Sequence, residues 1–390
     1  MFNVAIIGAG ITGVTTAYYL SKYNFNVSLI ESRRYPAMAT SYANGGQLSA
    51  SNSEAWNSWT NVFEGAKGLF KKDAPIAINP VPSLEKIIWF LSFIKNIKNR
   101  NDITYKICKM ACESVKLYKE IEKDENIKFD LLNKGILHFY NNKEQTNKAL
   151  LVNKIYKKAG LIRNRITHDE LYSIEPALKN KKFDSIFFTS SDKTGDIHKF
   201  CNNLIKKLVV KKNIKLLNYE VVDLKKELEK YDKVIVCAGV NSRKLAFSVG
   251  DKLPIYPVKG YSITINKPGL GSKAPWVSLL DDANKIVTSR LGQNRLRVAG
   301  TAEFTGYNLD IIQNRIRPLI KWSINMFPKI NSNDIKAWAG LRPMTPNMLP
   351  ISCVGKNKKV YYNTGHGHLG WTLSAITAKK LVNKLRLKLR

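Results

Sequence analysis

The spacing of apolar positions changes several times along the chain, and each change predicts an element. Residues 4–7 are a short unbroken apolar run, 14–20 follow at helical spacing, and a second apolar run over 27–30 stops at Glu31. This is the pattern of strand, turn, helix and strand. Residues 83–100 predict a helix with Leu84, Ile87, Ile88, Leu91 and Ile94 along one stripe, and 110–123 predict another. Residues 135–140 alternate as a strand. Thr167 and Glu170 have the spacing of a capping box at a helix start. Residues 197–210 read as a helix and 234–238 as a buried strand ending at Gly239. Residues 263–265, 286–289 and 297–299 read as strands of a second sheet, and a last helix begins near Thr372. Residues 52–82 have no regular period, and there is no internal repeat.

Between the first strand and the first helix stands Gly8-Ala9-Gly10-Ile11-Thr12-Gly13. The first glycine permits the tight turn, the second lets backbone approach a pyrophosphate, and the third lets helix and strand pack closely. The helix start then offers free N–H groups and a positive dipole end. Glu31 lies roughly 20 residues further on, where a carboxylate accepts hydrogen bonds from an adenosine ribose. The pattern predicts a dinucleotide site without choosing between NAD and FAD. The loop over 40–49, rich in glycine and small polar residues, suits close approach to an extended ligand.

The chain has 390 residues, 44% of them apolar, enough for a sizeable core. No apolar run approaches the roughly 20 residues of a membrane-spanning helix, and no basic stretch precedes the first apolar run as in a signal peptide. Five cysteines without regular spacing suggest a reducing, cytoplasmic setting. With 63 Lys and Arg against 30 Asp and Glu, the net charge is +33. Three readings stay open: a Lys- and Asn-rich composition without a partner, an anionic membrane surface, or nucleic acid. The spread of Lys along the chain, with no zinc-finger or RNA-recognition spacing, weighs against nucleic acid. Two segments suit a peripheral membrane contact. One is 83–100, with Trp89, Phe90 and Phe93 followed by Lys95, Lys98 and Arg100. The other is 379–390, with Lys379, Lys380, Lys384, Arg386, Lys388 and Arg390 beside Leu381, Val382, Leu385 and Leu389.

Three further strings carry a resemblance: 256–262 (Tyr-Pro-Val-Lys-Gly-Tyr-Ser), 340–346 (Gly-Leu-Arg-Pro-Met-Thr-Pro) and 363–372 (Asn-Thr-Gly-His-Gly-His-Leu-Gly-Trp-Thr). With the glycine turn and the 40–49 loop, they resemble the bacterial D-amino acid dehydrogenase small subunits, within the wider FAD-dependent D-amino acid oxidase and glycine oxidase family. The resemblance runs end to end. It departs at Asn347 and Met348, where family members usually carry Asp-Gly, at Ser352 and Cys353, and at His368.

The resemblance implies a mixed α/β fold: a Rossmann-type FAD-binding domain (1–50, 161–245 and 338–390) interleaved with a substrate domain of antiparallel or mixed sheet plus helices (51–160 and 246–337). It implies noncovalent FAD held by Ile7, Gly8, Ala9, Gly10, Ile11, Thr12 and Gly13, by Glu31, Ser32 and Arg33, and by Ser41, Asn44, Gly45, Gly46, Gln47 and Leu48. Val221, Ala238 and Gly239 extend that set. Gly365, Gly367, His368, Leu369, Gly370, Trp371 and Thr372 lie against the flavin. Arg342 is the expected carboxylate receptor, since a guanidinium binds a carboxylate through two parallel hydrogen bonds. Tyr261, Tyr256 and His366 are expected to assist it. The implied activity is oxidative deamination of a D-alanine-like D-amino acid to a 2-oxo acid and ammonia. Hydride passes from the α-carbon to flavin N5, and the electrons go on to a quinone or other respiratory carrier. An oxidase of the same family, acting on glycine, sarcosine or D-proline with oxygen, is the alternative. No metal is expected at His366 and His368.

Overall fold

The computed structural model of the chain describes residues 2–68, 74–211 and 213–388. Two large sheets organise it. The first has six strands in the order Ile351–Val354, Val360–Thr364, Lys233–Val236, Phe2–Ile7, Phe25–Glu31, Ile214–Asn218. All neighbours are parallel except the first pair. Val4, Ala5 and Ile6 are completely buried, as a strand covered on both faces must be, which is why the run has no polar alternation. Helices Ile11–Ser21, Ile197–Lys211 and Gly370–Leu387 form one apolar core with it through Tyr18, Leu204 and Trp371.

The second sheet has nine strands. Next to its edge strand Ile335–Met344, Tyr256–Asn266 pairs antiparallel with both that strand and Arg295–Phe304. The pairing corrects the expected division of the chain. Strands Asn164–Ile166 and Ser185–Thr189 join Ile136–Tyr140 in this sheet, not the nucleotide unit, because Ile186 shares the core of Leu137 and Phe139. Strand Ile335–Met344 likewise crosses the expected 337/338 boundary, since its ladder runs unbroken from Ile335 to Met344.

Helix Arg100–Glu125, 26 residues long, ties the layers together. Ile107, Cys108 and Ala111 enter the core beside the second sheet, and Leu117, Tyr118 and Ile121 enter that of the first. The Tyr118 hydroxyl lies 2.7 Å from the Trp371 carbonyl and 2.6 Å from Ser374 Oγ.

The two segments expected at a membrane behave differently. Helix Leu84–Lys95 is apolar nearly all round, so two faces compete for the interior. The aromatic face wins: Trp89 and Phe93 are buried, with Trp89 Nε1 donating to the Met344 carbonyl (3.0 Å). The aliphatic stripe faces outward, with Leu84 72%, Ile87 47%, Ile88 55% and Leu91 64% exposed. Arg100 turns inward to pair with Glu54. In the last helix Leu381, Val382 and Leu385 are buried in the first core, and Leu387 is exposed. Its Arg386 stacks on Tyr23, 3.6 Å from the ring centroid, and Lys380 lies 3.7 Å from Glu113. Leu389 and Arg390 lie outside the described residues.

The glycine turn shows how tightly the first layer is built. A Cβ on Gly13 would stand 1.8 Å from the Gly8 carbonyl oxygen, whereas one on Gly10 meets nothing closer than Ser41 Oγ at 3.5 Å. Gly13→Ala is expected to cost about 2 kcal/mol through forced separation of helix and strand. Gly10→Ala should leave the denaturation midpoint of the cofactor-free chain nearly unchanged. Urea unfolding of the two variants checks the contrast.

Candidate active site

A cavity of about 630 Å³ extends from Glu31, in the first sheet, to Arg342, in the second, and Val221 and Asp282 also line it. At the first end the turn does what its spacing predicts. The Gly8 N–H donates to the Ile30 carbonyl (2.8 Å), with Gly8 at φ +99°. Glu31 Oε2 accepts from the Ala9 N–H (2.9 Å) and Oε1 from the Arg33 N–H (3.0 Å), so backbone donors fix the carboxylate at the strand end. Gly10, at the helix N-cap, has no side chain with which to cap it, and the first turn contains no acidic residue. The helix therefore opens onto the cavity as an anion site; Ser41 Oγ accepts its Ile11 N–H at 3.1 Å.

Of the residues expected at the cofactor, Ala9, Gly13 and Leu48 do not line the cavity. They sit behind its wall: Ala9 orients Glu31, Gly13 packs on the Gly8 carbonyl, and Leu48 belongs to the core. The others all line it. Gln47 donates through Nε2 to the Leu279 and Thr288 carbonyls, at 3.1 and 3.2 Å, while its buried Oε1 has no partner. A carboxylate placed for ribose hydroxyls, an open helix start for a diphosphate and an unused amide acceptor fit FAD.

At the far end, strand Ile335–Met344 presents Arg342. Its guanidinium lies across Gly260 of the neighbouring strand, where a Cβ would come within 2.4 Å of the guanidinium carbon. Beyond Gly260 the ladder to Arg295–Phe304 slips: Lys259 opposes Glu303 but Tyr261 opposes Gly300. The bulge leaves Thr301 at φ +59°, an unusual conformation for a β-branched residue. Its carbonyl accepts from Arg342 Nη1 at 2.9 Å. No carboxylate pairs with Arg342 among the described residues. Desolvation pushes its pKa down to about 10, which still leaves it cationic at neutral pH.

The two tyrosines are not at Arg342's disposal. Gly260, Tyr261 and Ser262 all line the cavity, but the Tyr261 hydroxyl is engaged within the protein. The Tyr261 hydroxyl donates to Glu303 Oε2 (2.6 Å), which also lies 3.3 Å from the fully buried Lys259 Nζ. Tyr256 does not line the cavity and packs with Trp89 and Phe304. His366 is buried. Thr377 Oγ1 spends its proton on the Ser374 carbonyl, so His366 Nε2–H donates to Thr377 (2.8 Å). Burial holds its pKa down to about 3. His368 stacks on Trp56, ring centroids 4.7 Å apart, and burial followed by the Arg342 charge pushes it down to about 4. Both rings are neutral near pH 7. Among the described residues no group of three or more His, Cys, Asp or Glu is placed to hold a metal.

Residues that the sequence did not single out also line the cavity: Asn52, Trp56, Asp282, Lys285 and Thr301. Asp282 and Lys285 flank a hairpin turn whose polar residues look like any other, and the positive φ of Thr301 leaves no trace in sequence. The loop before Asn52 is held by a buried carboxylate. Asp192 accepts from the Ala50 N–H (2.9 Å), the Ser51 N–H (3.1 Å), Ser49 Oγ (2.9 Å) and Ser51 Oγ (2.5 Å).

With this geometry in view, the chain was compared with known proteins. The family model described as FAD dependent oxidoreductase matches residues 3–384. D-amino acid dehydrogenase 3 of Mesorhizobium japonicum is 48% identical, over 98% of this chain and 96% of that protein. D-amino acid dehydrogenase of Dechloromonas aromatica is 32% identical over the same shares. The crystal structure of glycine oxidase from Bacillus cereus superposes with a TM-score of 0.73 at 19% identity, covering 100% of this chain and 96% of that one, a likeness of fold.

The buried histidines make stability depend on pH. His366 binds a proton in the unfolded chain near pH 6.5 but in the folded chain only near pH 3. Stability should therefore fall as pH drops from about 6.5 toward 3, the unfolded state taking up the proton. His366→Asn should flatten that slope, read from denaturation midpoints between pH 7 and 4; an unaltered slope would contradict the assignment.

Proposed function

The chain belongs to the FAD-dependent oxidoreductase family matched over residues 3–384, and on that footing we propose how its cavity carries out the oxidative deamination of D-amino acids. It is a flavoenzyme of the D-amino acid dehydrogenase type. FAD, when bound, supplies the acceptor for the electrons of the Cα–H bond; the protein supplies binding, orientation and electrostatics. Glu31 and the start of helix Ile11–Ser21 would hold its ribose and diphosphate, and the Gly365–Thr372 stretch would lie against its ring. No cysteine occurs in 340–346, which favours noncovalent attachment. The imino acid product hydrolyses in water to the 2-oxo acid and ammonia.

One observation carries this reading: a desolvated guanidinium faces the cavity with no carboxylate paired to it among the described residues. A substrate carboxylate supplies the missing charge, and two parallel hydrogen bonds to it fix the α-carbon. Neutral His366 and His368 leave Arg342 to compete for that carboxylate with few other cations.

We infer further that reduced enzyme passes its electrons to a quinone or respiratory carrier at an anionic membrane. No helix among the described residues is long and apolar enough to cross one. The outward stripe Leu84, Ile87, Ile88 and Leu91, with exposed Lys95 and Lys98 beyond it, supports a peripheral contact. Each Lys near the lipid headgroups contributes ~1 kcal/mol.

Arg342→Ala should lower kcat/KM for D-alanine by roughly a hundredfold or more, about 3 kcal/mol, in stopped-flow flavin bleaching against a panel of D- and L-amino acids. Retained D-alanine turnover would remove Arg342 from the site, and rapid peroxide release in air would favour an oxidase. Ile88→Glu combined with Leu91→Glu should cut co-sedimentation with anionic vesicles severalfold while bleaching by D-alanine is unchanged. Undiminished sedimentation would move the contact elsewhere.

A further inference from the structure

The string 256–262 contains a lysine for which the substrate reading has no task. Lys259 is completely buried and does not line the cavity. Its Nζ lies 3.3 Å from Glu303 Oε2 of the neighbouring strand. It donates to Asn308 Oδ1 (2.9 Å) and to the Asp310 carbonyl (3.1 Å). The Tyr261 hydroxyl donates to the same Glu303 oxygen at 2.6 Å, and the Tyr261 ring centre stands 5.3 Å from the ammonium. Glu303 is buried as well. The cluster ties together strand Tyr256–Asn266, strand Arg295–Phe304 and the stretch 308–310 that follows.

A buried ion pair is a poor source of stability. Taking both charges out of water costs about as much as their attraction returns, and an apolar pair of similar volume holds two strands at least as well. What an apolar pair cannot do is choose a register. An ammonium surrounded by three oxygens is satisfied in one alignment only. Lys259 and Glu303 face each other where the alignment is irregular: Thr301 and Ala302 together oppose the single Gly260, and pairing resumes between Tyr261 and Gly300. The extra residue leaves Thr301 at φ +59°. A slip of one residue would separate Lys259 from Glu303 and turn the Thr301 carbonyl elsewhere.

Both backbone acceptors of Arg342 belong to this bulge. Nη1 donates to the Thr301 carbonyl at 2.9 Å and reaches the Lys259 carbonyl at 3.5 Å, and the guanidinium lies across Gly260 between them. Lys259 therefore meets Arg342 with its backbone and Glu303 with its side chain, and Glu303 is two residues from Thr301. We propose that the buried Lys259–Glu303 pair, with Tyr261, locks the bulge and so fixes the direction of Arg342, an inference that rests on the reading of Arg342 as the carboxylate receptor and deepens it. Lys259 and Glu303 are positioning residues: neither lines the cavity, and each acts through a carbonyl that Arg342 uses. With Nη1 held, the remaining donors keep one direction, and a carboxylate meets them without first ordering a long side chain.

The test uses the FAD-loaded full chain. Propionate, followed by perturbation of the flavin spectrum, reports carboxylate binding, and bleaching by D-alanine reports kcat/KM. Lys259→Met combined with Glu303→Gln removes the pair without stranding a charge. It should weaken propionate about tenfold and lower kcat/KM for D-alanine by a similar factor. In the Arg342→Ala background the same two changes should cost less than about twofold in kcat/KM, because they act through Arg342. Tyr261→Phe, which frees one oxygen of Glu303, should show the same pattern at about threefold. Equal losses in both backgrounds, or undiminished propionate binding, overturn the proposal. Failure of the underlying reading looks different: Arg342→Ala alone would then bind propionate as well as wild type does. If the paired variant loses its flavin, Tyr261→Phe decides through the same comparison.

Discussion

Leaving a guanidinium unneutralised inside a protein costs several kcal/mol unless something else solvates it, and the arrangement around Arg342 follows from that cost. Gly260 removes the side chain that would block its path. The bulge in the next strand turns the Thr301 carbonyl to meet Nη1 and holds a β-branched residue at positive φ to do so. The nearby His368 is kept neutral by burial and by the same positive charge. Hydrogen bonds from Nη1 to two neutral carbonyls, those of Thr301 and, at 3.5 Å, Lys259, solvate only a fraction of that charge. The remaining donors are preorganised for an anion that arrives with the ligand, which is how a site built for binding differs from one built for stability.

Much of this was legible wherever the chemistry is local in sequence. The Gly8–Gly13 turn and Glu31 sit about one strand–helix–strand unit apart, and the structure brings them together as their spacing requires. The string around Arg342 was legible for the same reason. The surroundings of the two tyrosines come from distant residues, Tyr256 packing with Trp89 and Phe304. Tyr261 lines the cavity, but its hydroxyl is taken by Glu303 of the buried Lys259–Glu303 pair, a residue far away in sequence. Asp282 was invisible for a like reason. It reaches the cavity through a sheet in which Ser278–Asp281 is four strands away from Ile335–Met344, and nothing in a turn sequence encodes such a distance.

The outward face of helix Leu84–Lys95 teaches a related lesson. Periodicity finds an apolar stripe, but a helix apolar on two sides does not say which is buried. The larger aromatic surface gains more from leaving water, so Trp89 and Phe93 went in and the aliphatic stripe stayed out. The basic C-terminal helix reversed the expectation in the other direction, because the core of the first sheet needed its Leu381, Val382 and Leu385.

Consider finally the order of strands in the first sheet as a matter of synthesis. Phe2–Ile7 lies between Phe25–Glu31, made almost at once, and Lys233–Val236, whose own far edge is covered by Val360–Thr364. At roughly 5–20 residues per second, the earliest strand leaves the ribosome on the order of 20–70 s before the last parallel one does. Throughout that interval one backbone edge of Phe2–Ile7 or of its partner is unpaired, in a segment as apolar as any in the chain. Helix Gly370–Leu387, which covers that layer, comes later still. The interleaving that places two halves of the chain around one cavity thus makes the nascent protein a long-lived client for whatever shields exposed strand edges in the cell.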